Sequence, residues 1–317
     1  MPAIRPGATG AVISGWGTAL PEKVISNDEL AATMDTSDEW IRTRTGIHER
    51  RVGGSTAGLS VESGRQALEM AGLTPDRIDV LVLATTTPDK QWGTASLVQH
   101  ELGLSCGAIE VNAACSGFMY GLVQAHGMIA MGADRALVIG TDTLSRITDW
   151  DDRGTAPLFA DGSGAVVLEA VDGPGQLLAW DLDADGSLLP ILWADVGGTI
   201  KMEGKEVFRR AVRLMVDSAE KAMTQAGITA DDVSLVVPHQ ANIRIIQAAC
   251  DRLGIPIERA ATVLHRTGNT SSASIPLALA DALDAGRVQH GDLVLLVGFG
   301  GGMTAGSCVL RWGGGVE

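Results

Sequence analysis

Three short stretches far apart in this chain each carry one reactive polar side chain among small residues: Asn112-Ala-Ala-Cys115-Ser-Gly-Phe118, Pro238-His239-Gln-Ala-Asn242 and Gly268-Asn269-Thr-Ser-Ser-Ala-Ser274. They offer a thiol, an imidazole and a carboxamide. A thiol is a strong nucleophile once ionised, and an imidazole and an amide are suited to steering charge on a thioester. The chemistry this set points to is acyl transfer through Cys115.

Each of these residues falls at an element boundary. Ala108-Ile-Glu-Val-Asn112 reads as a strand and the run from Phe118 to Met131 has helical periodicity, so Cys115 sits where a strand hands over to a helix. A helix N-terminus carries about half a positive charge and free N–H groups, which lowers a thiol's pKa and can hold an oxyanion. His239 follows Val233-Ser-Leu-Val-Val-Pro238, at the carboxyl end of a strand, where α/β sheets place ligands. Asn269 lies in a Gly, Thr and Ser stretch that is no ordinary core element; the alternative to a functional Asn is a turn with Asn269 at positive φ and a helix cap behind it. Val297-Gly-Phe-Gly-Gly-Gly-Met303 is a glycine-rich turn after a strand. It lacks the Lys-Ser/Thr ending of a phosphate loop, so its backbone is read as approaching a substrate and offering N–H groups to a carbonyl oxygen.

The elements that must position these residues are repeated. Ser63 to Leu83 aligns without gaps to Ser218 to Pro238, each copy running from an amphipathic helix through a closing Gly (Gly72, Gly227) and a Thr-containing turn to an apolar strand. Arg135–Gly140 corresponds likewise to Leu293–Gly298, and Ala165–Glu169 to Ser307–Arg311. The strand runs are continuously apolar, which buries both faces under helices. Two copies of one α/β unit are expected, residues 1–171 and 172–317. The Gly, Asp and Pro-rich segment from Asp172 to Glu206 reads as a linker with irregular structure, followed by a helix from Glu206 to Ala226.

Composition sets outer limits. The 317 residues, 45% hydrophobic, can bury a large core. No apolar run reaches the roughly 20 residues of a membrane span, and Met1-Pro-Ala-Ile-Arg-Pro-Gly7 lacks a signal core, so a cytoplasmic protein is expected. Cys106, Cys115, Cys250 and Cys308 have neither Cys-x-x-Cys nor disulfide-framework spacing and are expected as free thiols. The histidines do not combine with cysteines or carboxylates at metal-ligand spacing, so no metal is expected. A net charge of −14 argues against nucleic acid as a partner. A local basic patch can still recruit an acidic one: Lys205, Arg209 and Arg213 recur every four residues, with Arg210 adjacent, and form one stripe if the segment is helical. A solvated face is the alternative.

Together, Ala113-Ala-Cys-Ser-Gly-Phe118, Pro238-His-Gln-Ala-Asn-Ile-Arg244, Gly268-Asn-Thr-Ser-Ser-Ala-Ser-Ile-Pro276 and Gly298-Phe-Gly-Gly-Gly302 resemble the β-ketoacyl-acyl-carrier-protein synthase III family of the thiolase superfamily. Ser37-Asp-Glu-Trp-Ile-Arg-Thr-Arg-Thr-Gly-Ile47 and Asp152-Arg-Gly-Thr155 match it as well. The resemblance covers almost the whole chain and implies a duplicated thiolase-like α/β fold layered αβαβα. It implies that Cys115 takes an acyl group from acyl-CoA and that malonyl-acyl-carrier-protein is then decarboxylated, with His239 and Asn269 stabilising the enolate. The N–H groups of Cys115 and Gly301 would form the oxyanion hole, and Phe299 would line the decarboxylation site. Trp40 and Arg153 would sandwich the adenine of CoA, with Arg44 near its phosphates. Trp92 would reach across a homodimer interface to floor the partner's acyl pocket, and Arg209, Arg210, Arg213 and Arg244 would dock the acyl carrier protein. No cofactor beyond these substrates is implied. The chain departs from the family in a short Gly186–Glu203 stretch, in Lys205 where an Asn is common, and in the tract beginning at His265, which leaves the primer open. Two alternatives stand beside this reading: an acyltransferase that serves a non-malonyl acceptor, and a non-catalytic carrier-protein-binding subunit, against which the intact Cys115 argues.

Overall fold

The computed structural model describes residues 9–313, so the Met1–Gly7 stretch discussed above lies outside the described residues. In chain order the main strands are β1 (Gly10–Ala19), β2 (Val80–Ala84), β3 (Gly107–Val111), β4 (Arg135–Thr143), β5 (Asp161–Val171), β6 (Leu177–Ala184), β7 (Val233–Pro238), β8 (Leu293–Gly300) and β9 (Thr304–Arg311). The main helices are α1 (Asp38–Thr45), α2 (Thr56–Ala71), α3 (Thr94–Glu101), α4 (Gly117–Ala130), α5 (Gly204–Ala226), α6 (Ile243–Leu253) and α7 (Ser274–Asp284).

The repeat read from the sequence is a repeat in space. α2 and α5 close on Gly72 and Gly227, at φ 66° and 69°, a left-handed turn that a Cβ would strain. Each is followed by a single 3₁₀ turn, Pro75–Arg77 and Ala230–Asp232, and then by β2 or β7. The first sheet runs β1-β5-β4-β2-β3 and the second β6-β9-β8-β7. In both, the outer strand pairs antiparallel with the second, the second antiparallel with the third, and the third parallel with the fourth. β6 is therefore the counterpart of β1. This corrects the reading of residues 172–206 as linker, because β6 is an edge strand whose alternating pattern places Leu177, Ala179 and Asp181 inward. Its two aspartates, Asp181 and Asp183, mask that period in a Gly- and Asp-rich tract. The rest of the segment is irregular as expected, apart from a small hairpin of Leu192–Trp193 with Lys201–Met202.

Alternation within the apolar strands builds the layers. Val80 and Val82 of β2 and Val294 and Leu296 of β8 face one shared core containing α4 and α7, through Phe118, Leu122, Ile275 and Leu279. Leu81 and Leu83 turn the other way, onto α2 and α3. Leu295 and Val297 turn onto α5 and α6. The order is helix, sheet, helix, sheet, helix, the αβαβα layering expected. Among the described residues, no helix is long and apolar enough to cross a membrane. The four cysteines are free.

Candidate active site

Cys115 is set by a strained hand-over. After β3 ends at Val111, Ala114 takes φ 48°, a left-handed value that costs an alanine energy, and the 3₁₀ turn Ala114–Ser116 leads into α4. The β8–β9 hairpin braces this turn: the Thr304 hydroxyl donates to the Ala113 carbonyl at 2.8 Å. A Cβ on Gly300 would stand 2.6 Å from the Cys115 nitrogen and 2.9 Å from the Ala114 Cβ, so this position must be glycine for the two backbones to meet. The Ser271 hydroxyl and the backbone N–H groups of Gly301 and of Cys115 itself lie close enough to the sulfur to favour its charged form. Ser271 (φ 52°) and Met303 (φ 49°) are the other non-glycine residues at positive φ among the described residues, so all three lie around this thiol. The lowered thiol pKa expected from the helix N-terminus is not what results. Burial dominates and pushes the thiol up to about 12, against the pull of these three donors and with help from the Asp142 charge.

His239 stands immediately beyond β7, its N–H donating to the Val297 carbonyl at 2.8 Å. Its Nδ1 is 2.7 Å from Ser274 Oγ, which also accepts the Gln240 N–H at 3.3 Å. Among the described residues the only acceptor for the buried Ser274 proton is Nδ1, so Ser274 donates to it. The imidazole's own proton is then on Nε2, on the cleft side. The ring packs edge to face on Phe299, 5.5 Å between centroids. Burial pushes the imidazole down to about 3, which keeps it neutral.

Asn269 is held by its backbone, which exchanges hydrogen bonds with Leu158 and Ala160 at 2.9 Å each. Its Oδ1 accepts the Ser271 N–H at 3.0 Å, leaving the Nδ2 donors without a protein partner among the described residues. The positive φ considered for Asn269 falls instead on its neighbours Gly268 and Ser271.

One cleft of about 440 Å³ joins these groups. Cys115, His239, Asn269 and Phe299 line its buried end, and Trp40, Arg44, Arg153, Lys205 and Arg244 its exposed end. The Arg153 guanidinium lies 4.1 Å from the Trp40 ring centroid, so the two flat groups expected to sandwich a base are stacked on each other. Arg244 covers Phe208 at 5.5 Å. Among the described residues none of Arg44, Arg153, Lys205 and Arg244 has an acidic partner at ion-pair distance.

The remaining sequence candidates lie elsewhere. Trp92 is 83% exposed on the segment between β2 and α3, away from the cleft. Arg209, Arg210 and Arg213 line a separate notch of about 360 Å³ on α5. The helical stripe exists, but acids of the same helix temper it: Arg209 and Arg210 pair with Glu206, and Arg213 with Asp217 at 3.4 Å. Reading the sequence missed Ser271, Ser274 and Asp142 as parts of the site. The two serines passed as small neighbours of Asn269, and nothing local ties Asp142 to Cys115.

Fold and cleft together define a thiolase-fold enzyme that transfers acyl groups and condenses them. The family described as 3-oxoacyl-[acyl-carrier-protein] synthase III matches residues 109–186, and its C-terminal counterpart residues 223–312. The β-ketoacyl-[acyl-carrier-protein] synthase III of Erythrobacter litoralis is 48% identical, over 95% of this chain and 99% of that protein. That of Geobacillus kaustophilus is 47% identical, over 96% and 99%. Among solved structures, 3-oxoacyl-[acyl-carrier-protein] synthase III from Aquifex aeolicus superposes with a TM-score of 0.93 at 44% identity, covering 96% of this chain and 100% of that one. The priming β-ketosynthase of the R1128 polyketide pathway gives 0.91 at 35% identity, covering 98% and 99%. This chain belongs to the β-ketoacyl-acyl-carrier-protein synthase III family.

Proposed function

We propose that the chain condenses an acyl group, loaded from acyl-CoA onto Cys115, with the malonyl group of malonyl-acyl-carrier-protein. The products are carbon dioxide and a β-ketoacyl-acyl-carrier-protein, and the step starts fatty-acid or related polyketide synthesis. The observation that carries this reading is the meeting of a thiol, an imidazole and a carboxamide from three distant segments at the buried end of one cleft. The names of the relatives favour it over transfer to a non-malonyl acceptor.

In the loading step the Cys115 sulfur attacks the thioester carbonyl and the bond to the CoA sulfur breaks. The Cys115 proton ends on the departing CoA thiol, so no standing thiolate is needed. The N–H groups of Cys115 and Gly301, close to the sulfur, receive the oxyanion that forms beside it. In the second step loss of carbon dioxide from the malonyl thioester leaves an enolate, and His239 Nε2–H and Asn269 Nδ2–H donate to its oxygen. Neutral donors suit this task in a dry site, because they strengthen as the charge develops and carry none themselves. Phe299 fixes the His239 ring and keeps water from the carboxylate that must leave. The enolate carbon then attacks the acyl carbonyl, and Cys115 departs as a thiolate that recovers a proton from water.

The exposed end supplies binding. Four cations at the cleft mouth, none paired with an acid among the described residues, in a chain with net charge −14 suit the phosphates of CoA and of a phosphopantetheine arm, and Trp40 with Arg153 suits a purine once the pair opens. Arg209, Arg210, Arg213 and Arg244 are assigned to docking of the acidic carrier protein. The exposure of Trp92 supports its burial in a homodimer. A cytoplasmic location belongs to the same reading. The chain divides into halves 1–171 and 172–317, the first bringing the nucleophile and the second the His and Asn. The test is carbon dioxide release from malonyl-acyl-carrier-protein in the presence of acetyl-CoA: it should accompany β-ketoacyl product and require His239 and Asn269. Acylation of another acceptor while the malonyl thioester stays intact would refute the proposal.

A further inference from the structure

Close enough to the thiol to act on its charge, but not among the residues lining the cleft, lies a carboxylate that the proposed reaction does not use. Asp142, near the end of β4, is fully buried and, among the described residues, has no cation at ion-pair distance. Six donors surround it instead. Its Oδ1 accepts from the hydroxyls of Thr85, Thr86 and Thr87 at 3.1, 2.8 and 3.0 Å and from the Thr86 N–H at 2.7 Å. Its Oδ2 accepts from the Ser272 hydroxyl at 2.7 Å and the Ser272 N–H at 3.1 Å. One carboxylate thus binds the turn after β2 in the first sheet to the Ser271–Ala273 turn that follows Asn269.

The second contact is pressed close. Gly140, two residues before Asp142 and on the same face of β4, lets the Ser272 carbonyl approach to within 2.4 Å of where a Cβ would stand. Gly117, at the start of α4, leaves room for the Ser272 Cβ from the other side. Ser272 is thereby wedged between β4 and the helix that Cys115 precedes. Its neighbour Ser271, held at φ 52°, donates its N–H to Asn269 Oδ1 and places its hydroxyl near enough to Cys115 to favour the charged sulfur.

We propose that Asp142 is a positioning residue for the reaction: by gripping Ser272 it fixes the 271–273 turn, which places the Ser271 hydroxyl near Cys115 and turns the Asn269 carboxamide donors into the cleft. The inference rests on the roles given above to Cys115 and Asn269. A carboxylate suits the position because every contacting group is a donor, whereas a carboxamide would bring its NH₂ against a backbone N–H, that of Thr86 or that of Ser272. The charge has a second effect, since it acts on the sulfur and disfavours a thiolate there. The groups that face the sulfur from the other elements are neutral: His239 from beyond β7, Ser271 from its turn and the Gly301 N–H.

The experiment compares the full-length protein with its Asp142→Asn and Ser272→Ala variants by two readouts. The first is steady-state carbon dioxide release from malonyl-acyl-carrier-protein. The second is the pH midpoint of Cys115 alkylation by iodoacetamide, followed by intact mass. For Asp142→Asn, kcat should fall about tenfold or more with KM changed less than about threefold, the pattern of a donor lost mainly in the transition state. Its alkylation midpoint should move to lower pH, because the charge acting on the sulfur is gone. Ser272→Ala keeps that charge and should show the same kcat-selective loss, smaller in size, without the downward shift in midpoint. A merely structural role would scale activity with the folded fraction and leave the KM-against-kcat split at its wild-type value, wherever the midpoint falls; that result, in either folded variant, overturns the proposal. If Asp142→Asn does not fold, the split in Ser272→Ala decides. Wild-type protein that gains no acyl group at Cys115 would refute the reading of the site, while the alkylation midpoints would still report on Asp142.

Discussion

The two ends of the cleft solve opposite problems. At the buried end His239 and Asn269 are 1% and 5% exposed, and the groups that touch reacting atoms are held neutral. At the exposed end Arg44, Arg153, Lys205 and Arg244 face solvent with permanent charge and no acidic partner among the described residues. The difference separates chemistry from capture. A dipole in a dry pocket acts strongly on a charge that appears only in the transition state, whereas a screened cation at the surface raises encounter and binding without discriminating between states. Changes at the buried end should therefore appear in kcat and changes at the mouth in KM.

The largest expected effect is at the enolate donors. His239→Ala and Asn269→Ala should each slow carbon dioxide release from malonyl-acyl-carrier-protein by about 10²–10³, the usual cost of one lost oxyanion donor. Asn269→Asp should be no better than the alanine variant at neutral pH, since it puts a carboxylate where negative charge must grow; a faster Asp variant would mean that Asn269 does not face the enolate.

Next is pH. The folded state holds His239 down at about 3 and His126 at about 4, both through burial, while the unfolded chain titrates near 6.5. Between these values the unfolded state binds more protons, so stability is fully present above about pH 6.5 and falls as pH drops toward 3. One such histidine contributes a slope of up to about 1.4 kcal/mol per pH unit in that window. Urea unfolding at pH 7 and pH 4.5 measures it, and His239→Gln should flatten the slope. For Cys115, pushed up to about 12, iodoacetamide alkylation should keep accelerating well above the pH at which an ordinary thiol is already ionised.

At the mouth, Arg153→Ala and Arg44→Ala should raise KM for acyl-CoA by about three- to tenfold, leave kcat within about twofold and blunt the dependence of KM on salt. The smallest effect belongs to α5: Arg209→Ala and Arg213→Ala should weaken carrier-protein binding only about two- to threefold each, because each arginine already shares its charge with an acid on its own helix. A larger loss there than at Arg153 would invert the comparison.

The sequence was most legible where one local pattern decides one local structure. The closing glycines Gly72 and Gly227, the apolar strands and the handover before α4 follow from periodicity and φ requirements, so the duplication and the burial of both strand faces under helices could be read directly, while the αβαβα order is what the family resemblance implies. Cys115, His239 and Asn269 stood out because each is a reactive group among small residues at a strand or helix end. What stayed hidden depends on contacts between distant segments. β6 was lost because an edge strand carrying Asp181 and Asp183 looks like polar loop. The thiol's raised pKa follows from burial that only the assembled cleft supplies, against a helix N-terminus that local sequence suggests. Ser271, Ser274 and Asp142 act through partners far away in the chain, and no spacing rule links Asp142 to Ser272.

The central claim is that Cys115 becomes the acyl carrier. Intact-protein mass spectrometry after incubation with acetyl-CoA alone tests it most directly. One acetyl mass on the wild-type protein, mapped to the peptide containing Cys115 and absent from Cys115→Ala, is the predicted result. An equal adduct on Cys115→Ala, or condensation product formed by that variant at the wild-type rate, would contradict it.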